Sequence, residues 1–226
     1  MKSFLKSAFL LLSIIFIFYS CQNQEGEGEE EMNEQKIYKT PEEAAVNAKS
    51  DLIQVLETKK EIDLGIDVAE LRKAELIRPA KYQEVDFEKL LTTETIQRLS
   101  DISFSPKSMI APYVLENNVV GVAEVKEVND GWKVAGLGNK PITDDLNTTR
   151  ATLNSNSEVT IYEVPNLQLF IYGVKKEASE TYYLNFGEFT LKDSTALKTF
   201  YPAIRESAMR FQKKFGEQLK KEKLVK

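Results

Sequence analysis

The chain has 226 residues, of which 42% are hydrophobic, and a formal net charge of −5, with no histidine and one cysteine. This composition can bury a core, but it excludes a disulfide framework, the usual Cys/His zinc sites and any nucleophile that needs a histidine base. The acidic balance argues against a nucleic-acid role, so we expect no nucleic-acid partner. We also expect no metal and no cofactor.

The first 20 residues have the organisation of a secretory signal. Lys2 and Lys6 give a positive start, and residues 8–18 form an apolar run that only Ser13 interrupts. A helix needs roughly 20 residues to span a bilayer, so this run is too short to do so, and it has the length of a signal-peptide hydrophobic region. We therefore assign residues 1–20 to a signal peptide.

The residues at the end of this run resemble a bacterial lipobox, Phe18-Tyr19-Ser20-Cys21. Ser20 and Cys21 fit that pattern, whereas Phe18 and Tyr19 are bulkier than it prefers. The resemblance implies cleavage before Cys21 and lipidation of Cys21, with acyl chains such as palmitate that hold the protein in a lipid bilayer. The alternatives are an uncleaved anchor and an ordinary signal peptide.

The segment after Cys21 is acidic, since residues 22–36 carry six glutamates against one lysine. Glycine and like charges predict a flexible tether over residues 21–38. Such a segment also resembles the one that follows the lipid cysteine in surface-exposed lipoproteins of the Bacteroidota type; a plain solvated spacer is the alternative. In some lipoproteins an aspartate directly after the lipid cysteine is a signal for retention in the inner membrane. This chain has Gln22 at that position, so the signal is absent. We expect an outer membrane lipid-anchored protein, periplasmic or surface-exposed, with one domain over residues 39–226.

The first part of that domain predicts helices. Thr40-Pro41-Glu42-Glu43 combines an N-cap hydroxyl, a proline at the first helical position and a glutamate three residues after the cap, which predicts a helix to about Lys60. The further predicted elements are a short helix from Asp67-Val68-Ala69-Glu70, a strand at Ala80–Val85, a helix at Phe87–Leu91 capped by Asp86, and a helix at Thr93–Leu99.

From Met109 onwards the pattern is typical of strands. Asn117-Asn118 and Asn129-Asp130-Gly131 predict turns. The second hairpin, with Gly131-Trp132 after the turn, resembles a motif of small extracytoplasmic α+β domains, which implies an architecture and no activity. The predicted strands are Ile110–Leu115, Val119–Val128, Trp132–Leu137, Glu158–Val164, Leu167–Lys175 and Thr181–Leu191, with a helix at Pro141–Asn154 between the third and fourth.

The last predicted element is a long amphipathic helix. Apolar residues recur at three- and four-residue steps from Leu197 to Leu219, with Asp193 as the expected cap and a kink or break expected near Tyr201 because of Pro202. The fold class is therefore α+β: an antiparallel sheet of about five or six strands, an N-terminal helix and a long C-terminal amphipathic helix packed on the sheet. The basic end of this helix is either a surface for acidic partners or a solvated helix terminus.

Aromatic residues are frequent in the C-terminal strands. Exposed on one sheet face, Tyr162, Tyr172 and Tyr182 could contact a glycan or a peptide; packing in the core is the alternative. The adjacent Asp144-Asp145 is interpreted as helix N-terminal charge rather than an acid/base pair, because adjacent helical residues do not share a face.

No catalytic residue emerges from the sequence, so we lean towards a protein that is not an enzyme. The leading hypothesis is a lipid-anchored binding or interaction module of the bacterial envelope, with a protein or glycan ligand. The alternatives are a carboxylate-based hydrolase that acts on glycans, and an accessory or assembly factor that holds an envelope protein partner.

Overall fold

An eight-stranded sheet forms the centre of the computed structural model, which describes residues 36–59, 61, 63–149, 157–176 and 179–223. The described residues belong to one compact unit, Gln35–Lys226. The strands are β1 (Glu75–Leu76), β2 (Ala80–Glu84), β3 (Ser108–Leu115), β4 (Asn118–Val128), β5 (Gly131–Leu137), β6 (Glu158–Val164), β7 (Leu169–Lys176) and β8 (Ser179–Leu184).

The strand order is β5-β4-β3-β2-β6-β7-β8, and β1 and β2 pair one after the other along the same edge of β3. All pairs are antiparallel except β2 with β6, which run parallel. The α+β class is confirmed, but the prediction of about five or six strands is too low, and the sheet is mixed.

Two prolines explain why β1 and β2 are separate strands. Pro79 and Pro112 lie between the paired positions Leu76–Tyr113 and Ala80–Ile110, and neither has a backbone N–H to donate to the ladder. The backbone N–H of Ile77 still donates to the Pro112 carbonyl at 3.2 Å. Two residues of β1 were too few to be recognised from the sequence alone.

In the described residues, five α-helices pack around the sheet, and most begin where the sequence predicts. Thr40 caps the first helix through a hydrogen bond from the Glu43 N–H to its Oγ1 at 3.1 Å, and Asp67 and Asp86 cap the next two in the same way. The helices are α1 (Pro41–Thr58), α2 (Val68–Lys73), α3 (Phe87–Thr92), α4 (Lys140–Thr149) and α5 (Leu197–Lys223).

Some local predictions are wrong. The predicted helix at Thr93–Leu99 is replaced by a 3₁₀ helix at Leu99–Ile102. Strand β8 ends at Leu184, seven residues before the predicted end. The turn after β3 uses Glu116 and Asn117, one residue earlier than expected, and both have positive φ.

The C-terminal helix differs from its prediction at two residues. Asp193 does not cap it, because α5 begins at Leu197 and the Asp193 carboxylate accepts instead from Thr190 Oγ1 at 3.3 Å. The helix also continues through Pro202 without a break. Pro202 lies only in the second turn, so its missing N–H removes one bond near the N-terminus of the helix.

The pairing register sorts the side chains onto two faces of the sheet. Lys81, Thr160, Gly173 and Tyr182 lie side by side on four neighbouring strands, and we call their side of the sheet the cleft face. On the opposite face, the neighbouring row contains Tyr82, Ile161, Tyr172 and Tyr183.

Helices cover both faces, but they leave the middle of the cleft face uncovered. On that face, α1 and α2 pack on β3 and β4, while α5, with Phe200 fully buried, packs on β6, β7 and β8. On the opposite face, α4 packs through Ile142 and Leu146. The strands between the two helical regions of the cleft face are β2 and the beginning of β6, and there the side chains are polar.

Candidate functional site

A cleft of about 570 Å³ opens over these polar strands. Its floor is formed by side chains of β2, β6, β7 and β8 on the cleft face, and one wall is the segment Gln97–Ser100, which leads into the 3₁₀ helix. The volume lies within the usual range of ligand sites, which is roughly 300–1,000 Å³. The register places residues from four strands around one concavity, so no single sequence segment contains the site.

A glycine makes room for the centre of the floor. A Cβ at Gly173 would lie 2.7 Å from Glu180 Oε1, 3.0 Å from Tyr162 Cε2 and 3.4 Å from Tyr182 Cε1. Any larger residue at this position would displace these groups. Gly173 therefore allows one carboxylate and two phenol rings to converge over the same point of β7.

The two tyrosines donate their hydroxyl hydrogens to that carboxylate. Tyr182 Oη lies 2.7 Å from Glu180 Oε2, and Tyr162 Oη lies 3.4 Å from Glu180 Oε1. Burial is the largest cause that raises the pKa of both phenols, and the nearby Glu180 carboxylate raises it further. Both hydroxyls therefore stay protonated at neutral pH and act as donors.

Two ion pairs involve charged residues around the rim of the cleft. Lys81 forms an ion pair with Glu158, and this hydrogen bond is the main cause that lowers the pKa of Glu158. Arg98 pairs with Asp101 at 3.2 Å. In the described part of the chain, no lysine or arginine nitrogen lies within 4.0 Å of the Glu180 carboxylate. The Glu180 carboxylate thus lies in a cleft, and its hydrogen-bond donors among the described residues are two neutral hydroxyls.

Gln83 carries a second acceptor that has no donor. Gln83 lines the cleft, but its Oε1 is buried away from the open space and accepts no hydrogen bond from any residue the structure describes. A buried polar atom without a partner costs roughly 1–3 kcal/mol. The acceptor capacity that the floor offers to the cleft is therefore that of Glu180, which two hydroxyls only partly use.

The three tyrosines selected from the sequence are not all at one place. Tyr162 and Tyr182 line the cleft, but only 3% and 2% of their surfaces are exposed, so they present hydroxyl edges and not ring faces. Tyr172 is fully buried on the opposite face, where its hydroxyl donates to Asp145 Oδ2 at 2.7 Å. Cys21 lies outside the described residues.

Several residues of the cleft were missed by sequence reasoning. Gln83, Gly173 and Glu180 have no distinguishing motif, and Lys81 is an ordinary strand lysine. The two-residue alternation does predict that Glu180 and Tyr182 share a face, as do Thr160 and Tyr162. The alternation does not predict the parallel pairing of β2 with β6, and this pairing brings Lys81 and Gln83 to the same floor.

Comparisons with known proteins found no match to this chain among protein-family models, curated proteins or solved structures. Within the described ranges, no group of three or more His, Cys, Asp or Glu residues is arranged to hold a metal ion. A search of the same ranges found no helix with the length and apolar character needed to cross a membrane.

Proposed function

We propose that this protein is a lipid-anchored binding module of the bacterial envelope, and that the polar cleft holds its ligand. The observation that carries the proposal is the Glu180 carboxylate, which lines the cleft and has two neutral hydroxyls as its hydrogen-bond donors among the described residues. A carboxylate has about four acceptor positions, so a ligand that supplies further donors can bind to those that the two hydroxyls leave open.

The anchor is proposed from the sequence. Cys21 follows a short apolar run and would carry the acyl chains that enter the outer membrane. A fully extended chain from Cys21 to Tyr38 would reach at most about 60 Å. Since Tyr38 is already joined to β5 by two backbone hydrogen bonds with Trp132, each 2.7 Å long, the domain would begin there. The cleft could then meet ligands at some distance from the bilayer.

A carboxylate-based hydrolase is the second candidate, because Glu158 and Glu180 both line the cleft. Their strands, β6 and β8, are separated by β7, so their Cα atoms are roughly 9.6 Å apart. Glycosidases use two carboxylates, one of which must be a proton donor. Glu158 is a poor proton donor because its pKa is lowered by Lys81. In such a pair Glu158 would therefore be the base, and the proton donor would have to be Glu180.

The experiment tests anchor and cleft separately. Cys21→Ser should move the protein from the membrane fraction to the soluble fraction, or leave an uncleaved precursor; a membrane-bound, processed variant would overturn the anchor. For the cleft, thermal unfolding of the full-length protein in detergent is followed with triglycine and with chitobiose as probes. At least one probe should raise the midpoint in wild type and not in Glu180→Gln.

Two results would redirect the proposal. Release of monosaccharide from chitobiose that is lost in Glu180→Gln would establish the hydrolase. Equal midpoints with and without both probes, together with a partner protein crosslinked in intact membranes through cleft residues, would favour an accessory factor that holds an envelope protein.

A further inference from the structure

The second half of α5 continues past the core that holds its first half. The helix has 27 residues, so it is about 40 Å long, and its members of the core cluster lie between Leu197 and Ala208. Further along, Phe211 meets Phe87 edge to face, with ring centroids 5.8 Å apart, and Phe215 lies 5.0 Å from Phe211. Both rings of the helix are only partly buried. The apolar face of α5 is therefore longer than the core that covers it.

The charge of this half is opposite in sign to that of the whole chain. Residues 209–226 carry seven lysines and arginines against two glutamates, a net charge of +5, whereas the whole chain has a net charge of −5. An excess of positive charge therefore lies at the end of one helix in a protein that is acidic overall.

The helix macrodipole does not account for all of these charges. It stabilises cations only within about the last turn of a helix. Lys213 and Lys214 lie more than two turns before Lys223, where α5 ends. The Lys214 ammonium lies 5.0 Å from the centre of the Phe215 ring, so it is beside the apolar face. A solvated helix terminus therefore does not explain why lysines accompany the aromatic residues.

The surface of an anionic lipid bilayer fits both properties of this half. Helices that lie in the membrane interface have aromatic and aliphatic residues on one face and lysine or arginine on the other. Phe211 and Phe215 are four residues apart and share one face. Lysines close to an anionic bilayer are attracted to its headgroups, and salt screens this attraction. The apolar face and the charges can therefore bind to the same surface.

Two other occupants fit less well. A second copy of this helix would bring two positively charged surfaces together, and their repulsion opposes the contact. Residues 22–36 have the complementary charge, with six glutamates against one lysine. Met32 is their one large apolar side chain, so this segment would leave most of the face of Phe211 and Phe215 uncovered.

We propose that the second half of α5, residues 209–223, binds the surface of an anionic phospholipid bilayer, with Phe211 and Phe215 towards the acyl chains and the lysines on the headgroup phosphates. The proposal is independent of the cleft, and it does not require lipidation of Cys21. With a lipid at Cys21, the tether would join the domain at β5, one edge of the sheet, while α5 packs on strands at the other edge. Two attachments would restrict the orientation of the domain on the bilayer, which the flexible tether alone would not do.

Hydrogen–deuterium exchange of the full-length protein on vesicles tests the proposal. One kind of vesicle is phosphatidylcholine alone, and the other is an equal mixture of phosphatidylcholine and phosphatidylglycerol. The backbone amides of residues 209–223 should exchange at least tenfold more slowly on the mixed vesicles, because binding suppresses opening of the helix end. The amides of α1 should exchange equally on both. Equal exchange of residues 209–223 on the two kinds of vesicle would overturn the proposal.

Two double variants separate the helix from the net charge of the protein. Lys213→Gln with Lys214→Gln should lose most of the slowing on mixed vesicles. Lys107→Gln with Lys126→Gln removes the same charge from exposed side chains elsewhere, so it is the matched control and should keep the slowing. An equal loss in both double variants would show that net charge and not this helix is responsible, and the proposal would be wrong.

The acidic segment is tested in non-ionic detergent without anionic lipid. The triple variant Glu29→Gln, Glu30→Gln and Glu31→Gln should leave the exchange of residues 209–223 unchanged there. Faster exchange in this variant, together with equal exchange on the two kinds of vesicle, would identify residues 22–36 as the occupant in place of the bilayer.

Discussion

A tyrosine hydroxyl donates to a carboxylate on each face of the sheet, at the same distance but in different surroundings. On the cleft face Tyr182 donates to Glu180, and on the opposite face Tyr172 donates to Asp145, both at 2.7 Å. Asp145 belongs to α4, which packs on the opposite face through Ile142 and Leu146. Glu180 belongs to a strand and lines a cleft. The same hydrogen bond thus joins a helix to the sheet in one place and positions a carboxylate for a ligand in the other.

The charges show the same difference. Burial is the main cause that raises the pKa of Asp145, and its hydrogen bond from Tyr172 opposes that shift. Removing the donor there leaves a half-buried carboxylate without its hydroxyl partner. Removing Tyr182's hydroxyl leaves Glu180 with Tyr162 and with water that can enter the cleft. The two faces should therefore respond unequally to equivalent substitutions.

The largest expected effect is the loss of stability when the packing of α5 against the cleft floor is removed. Phe200 of α5 is fully buried and meets Tyr182 edge to face, with ring centroids 5.4 Å apart. Phe200→Ala should lower the free energy of unfolding by about 3–5 kcal/mol because it leaves a cavity beneath the Tyr182 ring. Denaturant unfolding measures the loss. A loss below about 1 kcal/mol would mean that α5 does not hold the cleft floor.

The direct comparison of the faces is between two conservative substitutions. Tyr172→Phe should cost about 1–3 kcal/mol, the range for a buried acceptor that loses its donor. Tyr182→Phe removes an equivalent hydroxyl, but it should cost less because Glu180 keeps a second donor. Unfolding of both variants under one set of conditions decides the order. Equal losses, or a greater loss for Tyr182→Phe, would contradict the distinction between a structural and a functional pair.

The sequence predicts the individual elements of this protein better than it predicts their assembly. Helix α1 follows from Thr40 and Pro41, and the limits of β6 follow from alternation and the Pro165 that ends it. These features depend on neighbouring residues. Strand order depends on contacts between distant segments, so the parallel pairing of β2 with β6 has no local signal.

The same limit explains the partial prediction of the site. Aromatic residues in strands are visible in a sequence, and two of the three selected ones, Tyr162 and Tyr182, line the cleft. The helices that pack on the sheet decide which of its faces stays open. The sequence alone therefore could not distinguish Tyr172, on the covered face, from Tyr162 and Tyr182 in the cleft. Gly173 is informative only once Glu180 is known to lie above it.

A smaller effect should appear in the pH dependence of the opposite face. The pKa of Asp145 is raised above its ordinary value of 3.8 in the folded state, so its contribution to stability is greatest below that pH and is lost as the pH rises through the folded pKa. Asp145→Asn cannot titrate and keeps an acceptor for Tyr172. Between pH 3 and pH 7 the free energy of unfolding of the variant should rise relative to that of wild type, by on the order of 1 kcal/mol or less.

Unfolding curves at several pH values measure that difference. Glu188→Gln, which removes an exposed carboxylate in a turn, is the control with which the trend is compared. A variant that loses stability relative to wild type as the pH rises would show that the charged form of Asp145 is stabilised by its surroundings, and the contrast with the open cleft would fail.

The smallest expected effect is at the rim of the cleft, where Lys81 and Glu158 form an ion pair with 45% and 33% of their side chains exposed. Exposed ion pairs contribute less than about 1 kcal/mol and are screened by salt. The pKa of Glu158 is lowered from its ordinary value of 4.5, so the contribution is present above that pH and is lost as the pH falls. A double-mutant cycle with Lys81→Met and Glu158→Gln should give a small coupling energy at pH 7 that decreases in 1 M salt and at pH 3. A coupling that persists under both conditions would place the pair in a dry environment, and the cleft would then not be the water-accessible site that distinguishes this face from the one covered by α4.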